Sequence, residues 1–133
     1  MSIDSKKYSV LIVDDEETNI MVLTYILEST YEVIAAKNGK GAINAARMYL
    51  PDVILLDIIM PDMDGYEVIT ELKNSETTMD IPVIFVTGMR DIESQEKGFE
   101  LGAADYIIKP FSTNAVETKV KNQIKQRKMQ CEK

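Results

Sequence analysis

The sequence predicts an α/β domain in which one parallel sheet is covered by helices on both faces. Five apolar runs alternate with five helical patterns along the 133 residues. The runs are almost continuously apolar, which is typical of strands buried on both faces. Strand–helix alternation favours right-handed crossovers and therefore a parallel sheet. A chain of this length suffices for one domain with a substantial core.

Each predicted strand is a short apolar run bounded by polar or turn residues. The strands cover residues 8–13, 31–36, 52–57, 82–86 and 103–108. Pro82 suits the first position of its strand, where the missing N–H is tolerated. The loop at 60–65 is marked by Pro61 and Gly65.

The predicted helices lie between these strands. They cover residues 17–29, 40–50, 66–74 and 91–101, and a last helix begins near Thr113. Asp91 is expected to cap the fourth helix at its start, and Gly102 to close it at its end. The apolar residues expected to face the sheet are Ile20, Leu23, Leu27, Ile43, Ala46, Leu50, Ile69, Leu72, Ile92, Phe99, Val116, Val120 and Ile124.

Composition excludes several functional classes. The net charge of −7 argues against nucleic-acid binding by the body of the domain. No segment is apolar enough to span a membrane, and the N-terminus lacks a signal core, so a cytoplasmic location is expected. The chain has no histidine, which excludes a phosphohistidine or a histidine metal ligand. Cys131 is the single cysteine and cannot form an internal disulfide.

The C-terminal segment has a different charge from the rest of the chain. From residue 117 to 133 it carries six lysines and arginines against two glutamates. A solvated helix face explains this excess, and a partner or linker role is the alternative. We expect the main domain to occupy residues 1–125. Residues 126–133 would then form a helical extension or the start of a linker to an unseen output domain.

Five polar residues stand directly after apolar runs and form one chemical set. They are Asp14, Asp15, Asp57, Thr87 and Lys109. In an open α/β sheet, ligands bind at the carboxyl ends of the strands. Three carboxylates with a hydroxyl and an ammonium suit a hard cation such as Mg²⁺ and a phosphoryl group. Individually these residues have ordinary explanations: the acidic pair could cap a helix, and Asp57 could be a turn residue.

Asp57 is the best candidate for a nucleophile, because a carboxylate can hold a phosphoryl group as an acyl phosphate. Lys109 would neutralise the phosphoryl oxygens, Thr87 would donate a hydrogen bond, and Gly88 leaves room for a bound group. The Lys109–Pro110 bond could be cis or an ordinary trans bond. No P-loop spacing is present, so the phosphate is expected from another protein or a small phosphodonor.

These motifs resemble the receiver domains of two-component response regulators. The resemblance rests on the acidic pair at 14–15, VILLDIIMPDMDGYE at 53–67, VIFVTG at 83–88 and ELGAADYIIKPF at 100–111. It covers about residues 8–125. It implies a flavodoxin-like (βα)5 fold with strand order 2-1-3-4-5.

The resemblance also implies roles for individual residues. Asp57 would accept a phosphoryl group from a histidine kinase or phosphotransfer protein. Asp15, Asp57 and the backbone carbonyl of Ile59 would ligate Mg²⁺, with Asp14 binding through water. Thr87 and Lys109 would contact the phosphoryl oxygens, and Lys109–Pro110 would be cis. Tyr106 would be the switch aromatic that turns inward with Thr87, although its place in the strand also fits a core residue.

Two further expectations follow from the resemblance. Ile59 and Met89 lie where the family varies its dephosphorylation rate, and neither can orient water, so a long-lived phosphoryl state is predicted. The output face would lie between Asp91 and Arg127, where two copies of such domains commonly pair. The chain would then be a phosphoacceptor switch rather than an enzyme.

Two other functional classes fit the predicted fold less well. An aspartate-based phosphatase usually carries its second aspartate two residues after the nucleophile, which the acidic pair does not match. A flavin-binding electron carrier would need a hydroxyl-rich loop after the first strand, where this chain has DDEETN. Phosphoester turnover and an absorbance spectrum, respectively, would distinguish them.

Overall fold

The computed structural model describes residues 7–88 and 91–131 and contains one five-stranded parallel sheet. Its strands are β1 (Ser9–Val13), β2 (Glu32–Ala36), β3 (Val53–Asp57), β4 (Val83–Thr87) and β5 (Asp105–Ile108). Their order across the sheet is β2-β1-β3-β4-β5. The predicted fold class and strand order are therefore confirmed.

Five helices connect and follow the strands. They are α1 (Glu17–Leu27), α2 (Gly39–Tyr49), α3 (Gly65–Lys73), α4 (Ile92–Glu100) and α5 (Thr113–Cys131). Element boundaries differ from the predicted ones mostly by one or two residues, because capping residues flank the hydrogen-bonded segment. Within the described ranges, no helix is both long and apolar enough to cross a bilayer.

The sheet separates two apolar cores. Leu11, Leu56 and Phe85 point to one face, where residues of α2 and α3 cover them. Ile12 and Leu55 point to the other face, beneath α1 and α5. All residues of β3 and β4 are buried, which explains why these runs are continuously apolar rather than alternating.

Three residues predicted to face the core do not. Leu50 is the C-cap of α2 with a left-handed φ of 46°, and this turn directs its side chain toward solvent. Ile92 and Phe99 are largely exposed, and the buried residue of α4 is Gly98. Phe85 and Tyr106 fill the space beneath Gly98 of α4. Phe99 is about half exposed, and its ring contacts that of Tyr106 with centroids 5.1 Å apart, so it covers the edge of the core rather than entering it.

The predicted caps of α4 are confirmed. The carboxylate of Asp91 accepts hydrogen bonds from the backbone and hydroxyl of Ser94 at 3.0 and 2.8 Å. At the other end Gly102 adopts φ +111°, and its N–H donates to the Phe99 carbonyl. The next N–H, of Ala103, donates to Gly98, which completes a Schellman turn into β5.

Candidate metal and phosphoryl site

The predicted site residues converge at the carboxyl edge of the sheet. Asp57 and Thr87 are the last residues of β3 and β4. Asp14 and Asp15 directly follow β1, and Lys109 directly follows β5. Because the strands are parallel, residues distant in the chain meet at this one edge.

The three carboxylates form a compact cluster with one ammonium. One ligand atom from each of Asp14, Asp15 and Asp57 lies within 4.8 Å of the others. Lys109 Nζ lies 3.3 Å from Asp14 Oδ2 and 3.5 Å from Asp57 Oδ1. Asp14 and Asp57 are buried, whereas Asp15 is exposed, so the cluster opens to solvent on one side.

Asp14 serves both the site and the adjacent helix. Its Oδ1 accepts a hydrogen bond of 2.9 Å from the N–H of Glu16, the N-cap residue of α1. Its Oδ2 faces Lys109. Asp14 therefore contacts the residue that precedes α1 through one oxygen and Lys109 through the other. It does not cap an N–H of the first turn of α1, and its role in a metal or phosphoryl site stays a prediction.

The Asp57 carboxyl group of the cluster has a raised pKa. The pKa of Asp57 is raised to about 6: burial raises it most, Asp14 and Asp15 also raise it, and the nearby Lys109 opposes them. One ammonium does not fully compensate three close carboxylates. All three acids offer oxygen ligands, which hard divalent cations prefer, so the donor set fits Mg²⁺.

Thr87 and Lys109 are joined through the backbone, since the Lys109 N–H donates to the Thr87 carbonyl at 2.8 Å. Gly88 borders open space: a Cβ built there would meet no atom within 4 Å. Ile59 lies two residues after Asp57 with an exposed side chain. The Lys109–Pro110 peptide bond is cis. Met89, which the sequence also singled out, lies outside the described residues.

The Tyr106 side chain points inward. It is 5% exposed, and its ring centroid lies 5.5 Å from that of Phe85. Its hydroxyl donates to the carbonyls of Ser94 at 3.0 Å and Gln95 at 3.2 Å. Tyr106 therefore links β5 to the first turns of α4.

Sequence reasoning did not single out Tyr66 or Gly98, which surround the same point. The Tyr66 hydroxyl also donates to the Ser94 carbonyl, at 3.0 Å. Gly98 lies against Tyr106. The available signals were a glycine inside a helical pattern and a tyrosine with a polar tip on a helix that faces the core.

Comparison with known proteins identifies the family: residues 10–121 match the response regulator receiver domain. The chain belongs to this family. A protein of Vibrio cholerae named "Probable cyclic di-GMP phosphodiesterase" is 44% identical over 88% of the chain and 26% of its own length. The regulatory protein PhoP of Bacillus subtilis is 40% identical over 84% of the chain and 46% of its own length. This receiver domain spans less than half of either relative.

Solved structures agree with the family assignment. A signal receiver domain of a histidine kinase from Syntrophus aciditrophicus has a TM-score of 0.82 and 34% identity, covering 90% of this chain and 91% of that one. A CheY-like receiver domain protein from Methanospirillum hungatei has a TM-score of 0.87 and 26% identity, covering 94% and 99%. The chain is thus a receiver domain of two-component signalling, a family that binds Mg²⁺ in an acidic pocket.

Proposed function

We propose that Asp57 accepts a phosphoryl group from a partner histidine kinase or phosphotransfer protein in a Mg²⁺-dependent reaction. The observation that carries this proposal is a buried Asp57 carboxylate at a strand end, 3.5 Å from the Lys109 ammonium and clustered with two further carboxylates. The product would be a cytoplasmic switch in a phosphorelay.

The proposed step is a displacement at phosphorus. An Asp57 carboxylate oxygen forms a bond to phosphorus while the bond between phosphorus and the donor nitrogen breaks. Lys109 then neutralises charge on the transferred group, and the Thr87 hydroxyl donates a hydrogen bond to it. The open space at Gly88 accommodates the added oxygens.

Asp14, Asp15, Asp57 and the backbone carbonyl of Ile59 would hold Mg²⁺. When bound, the ion neutralises carboxylate repulsion and charge on the phosphoryl oxygens. Without it, the negative charge of the cluster would repel an incoming phosphate. Chelation is therefore expected to stop phosphorylation without unfolding the protein.

The chain is proposed to be a phosphoacceptor and not a turnover enzyme. The name of the Vibrio cholerae relative describes a protein of which this chain spans 26%. In this proposal the residues at the strand ends accept and hold a phosphoryl group, and the switch follows from that modification. Catalytic turnover of a phosphoester without labelling of Asp57 would favour an enzyme instead.

Intact mass after incubation with acetyl phosphate tests the proposal. We expect one phosphoryl adduct in the presence of Mg²⁺, none after chelation, and none in Asp57→Asn. Asp62→Asn is a matched control, because Asp62 is exposed and its φ of 70° suits asparagine. An adduct on Asp57→Asn, or no adduct under conditions where Mg²⁺ binds, would contradict it.

The face formed by α4, β5 and α5 is proposed to carry the output. Ile92 and Phe99 on α4 are large, apolar and exposed, as expected for a surface that a partner or second copy covers. Sedimentation of the protein with and without beryllofluoride would test pairing. A monomer in both conditions at high concentration would exclude a homodimer through this face.

A further inference from the structure

Two tyrosine hydroxyls donate to the same backbone carbonyl. Tyr66 from α3 and Tyr106 from β5 each lie 3.0 Å from the carbonyl oxygen of Ser94. Ser94 belongs to the first turns of α4, so one acceptor receives side chains from two other elements. We call Tyr66, Ser94, Gly98 and Tyr106 the tyrosine clamp.

Gly98 makes the clamp sterically feasible. A Cβ built on Gly98 would overlap the Tyr106 hydroxyl and lie 3.0 Å from Phe85 Cε2. Glycine is disfavoured inside a helix, yet this one is buried in α4 directly over Tyr106. The Tyr106 hydroxyl therefore occupies space that every other residue type would fill.

Tyr66 attaches α3 to α4 by two contacts. Besides its bond to Ser94, its ring lies under Lys97 of α4, with Nζ 4.4 Å from the centroid. The ring also contacts Phe85 edge-on, with centroids 5.7 Å apart. Tyr66 thus fixes the position of the helix whose carbonyl Tyr106 must reach.

From this geometry we propose that Tyr66 is a second switch residue, which holds α4 where Gly98 and Ser94 can receive Tyr106. The inference rests on the proposed function, in which Tyr106 is the switch aromatic. Loss of the Tyr66 hydroxyl weakens the attachment of α4 and shifts Tyr106 from its inward to its outward position. Because a neutral hydrogen bond changes an equilibrium by about two- to tenfold, the ratio of inward to outward Tyr106 falls by that factor.

Fluorine NMR of protein labelled with 3-fluorotyrosine tests the clamp. The chain has six tyrosines, and the Tyr106 signal is assigned by its loss in Tyr106→Phe. In Tyr66→Phe we expect a two- to tenfold lower ratio of inward to outward Tyr106. Tyr25→Phe, at an 81% exposed position on α1, is the matched control and leaves the ratio unchanged.

Gly98→Ala provides the second variant. The added methyl displaces Tyr106 from its inward position, so its signal moves entirely to the outward position. Gly41→Ala is the control, since Gly41 lies in α2, where the nearest atom to a Cβ is Asn38 Oδ1 at 3.1 Å. An unchanged Tyr106 signal in Tyr66→Phe overturns the proposal, as does an inward Tyr106 in a folded Gly98→Ala protein.

Intact mass separates this proposal from the function on which it rests. Both variants leave the site residues in place, so both are expected to take one phosphoryl group on Asp57. Absence of the adduct in the wild type would refute the phosphoacceptor role. A normal adduct combined with an unmoved Tyr106 signal would refute the clamp alone.

Discussion

At the scale of single residues, the site depends on the balance of charge around Asp57. Its carboxylate is buried beside two other acids, and Lys109 is the cation in contact with it among the described residues. Burial and like charge both oppose ionisation, whereas Lys109 favours it. A cation bound beside Asp57 would therefore stabilise its ionised form.

This imbalance predicts a pH-dependent stability of the metal-free protein. The pKa of Asp57 is raised to about 6 in the folded protein, so the folded state binds more protons between its ordinary pKa of 3.8 and that value. Stability therefore falls as pH rises through this window, and the full cost is present at neutral pH. Asp57→Asn removes the cost and is expected to be more stable by about 1–2 kcal/mol near neutral pH.

Urea unfolding with chelator at several pH values measures this difference. The gap between Asp57→Asn and wild type should narrow as the pH falls below about 6 and close below the ordinary pKa of 3.8. Added Mg²⁺ should stabilise the wild type more than the variant. A constant gap across the whole pH range would mean that Asp57 ionisation is not its source.

The apolar side chain of Ile59 leads us to expect slow hydrolysis of a phosphoryl group from Asp57. Its side chain is exposed at the site, two residues after Asp57, and cannot orient an attacking water by hydrogen bonding. Ile59→Asn is expected to accelerate dephosphorylation by about tenfold, since positioned polar groups speed water attack. The decay of the phosphorylated mass over time measures the rate, with Ile59→Leu as the control. Equal rates in the wild type, Ile59→Asn and Ile59→Leu would refute the prediction.

At the scale of secondary-structure elements, α4 is the least conventional helix. Its buried residue is a glycine, Ile92 faces solvent, and Phe99 is about half exposed with its ring against Tyr106. It is held by the Asp91 cap, by hydroxyls from α3 and β5, and by the Schellman turn at Gly102. Its apolar contact with the domain is shallow, consisting of Gly98 and one side of the Phe99 ring against Tyr106, and a helix with such a contact can shift at a smaller cost than one with a deep apolar face.

Gly102 controls the corner between α4 and β5. Its φ of +111° is unfavourable for any other residue, and a Cβ there would lie 3.2 Å from Lys73 Cε. Gly102→Ala is expected to lower the free energy of unfolding by about 1–2 kcal/mol. Thermal or urea unfolding measures it, with Gly88→Ala as control because its Cβ meets nothing within 4 Å. Equal losses in both variants would contradict the backbone explanation.

At the scale of the whole molecule, α5 is tied to the sheet by charge as well as by apolar packing. Val116 and Val120 bury their side chains in the core beneath α1 and α5. Arg127 donates to Asp52 Oδ1 at 3.3 Å and to the Asp80 carbonyl at 3.2 Å. Part of the basic charge of this helix is therefore paired within the domain. The division of the chain at residue 125 stays a prediction.

Loss of the contact between Arg127 and Asp52 should lower the free energy of unfolding of the whole domain. Arg127→Gln is expected to cost about 1–2 kcal/mol, because the partly buried Asp52 loses its guanidinium partner. Lys128→Gln removes the same charge from an exposed neighbouring position and should change stability by less than about 0.5 kcal/mol. Equal effects would point to net charge rather than to the contact.

Sequence patterns alone determined the element order, the central strands and the set of residues at the strand ends. These features follow from local patterns. A buried parallel strand is continuously apolar, and the first polar residue after the apolar run marks the carboxyl end of the strand, where ligands bind. The acidic pair, Asp57, Thr87 and Lys109 can therefore be selected from the sequence alone. Their proximity then follows from parallel strand order.

Only the tertiary structure decided which residues of each helix are covered by other elements. Periodicity marks one side of a helix as apolar, but not whether anything covers it, so Ile92, Phe99 and Leu50 were wrongly assigned to the core. Likewise, no pattern shows that Tyr66 and Tyr106 converge on one carbonyl over Gly98. Such contacts depend on the packing of α3, α4 and β5 against each other, and this packing is fixed by side-chain volumes from distant parts of the chain.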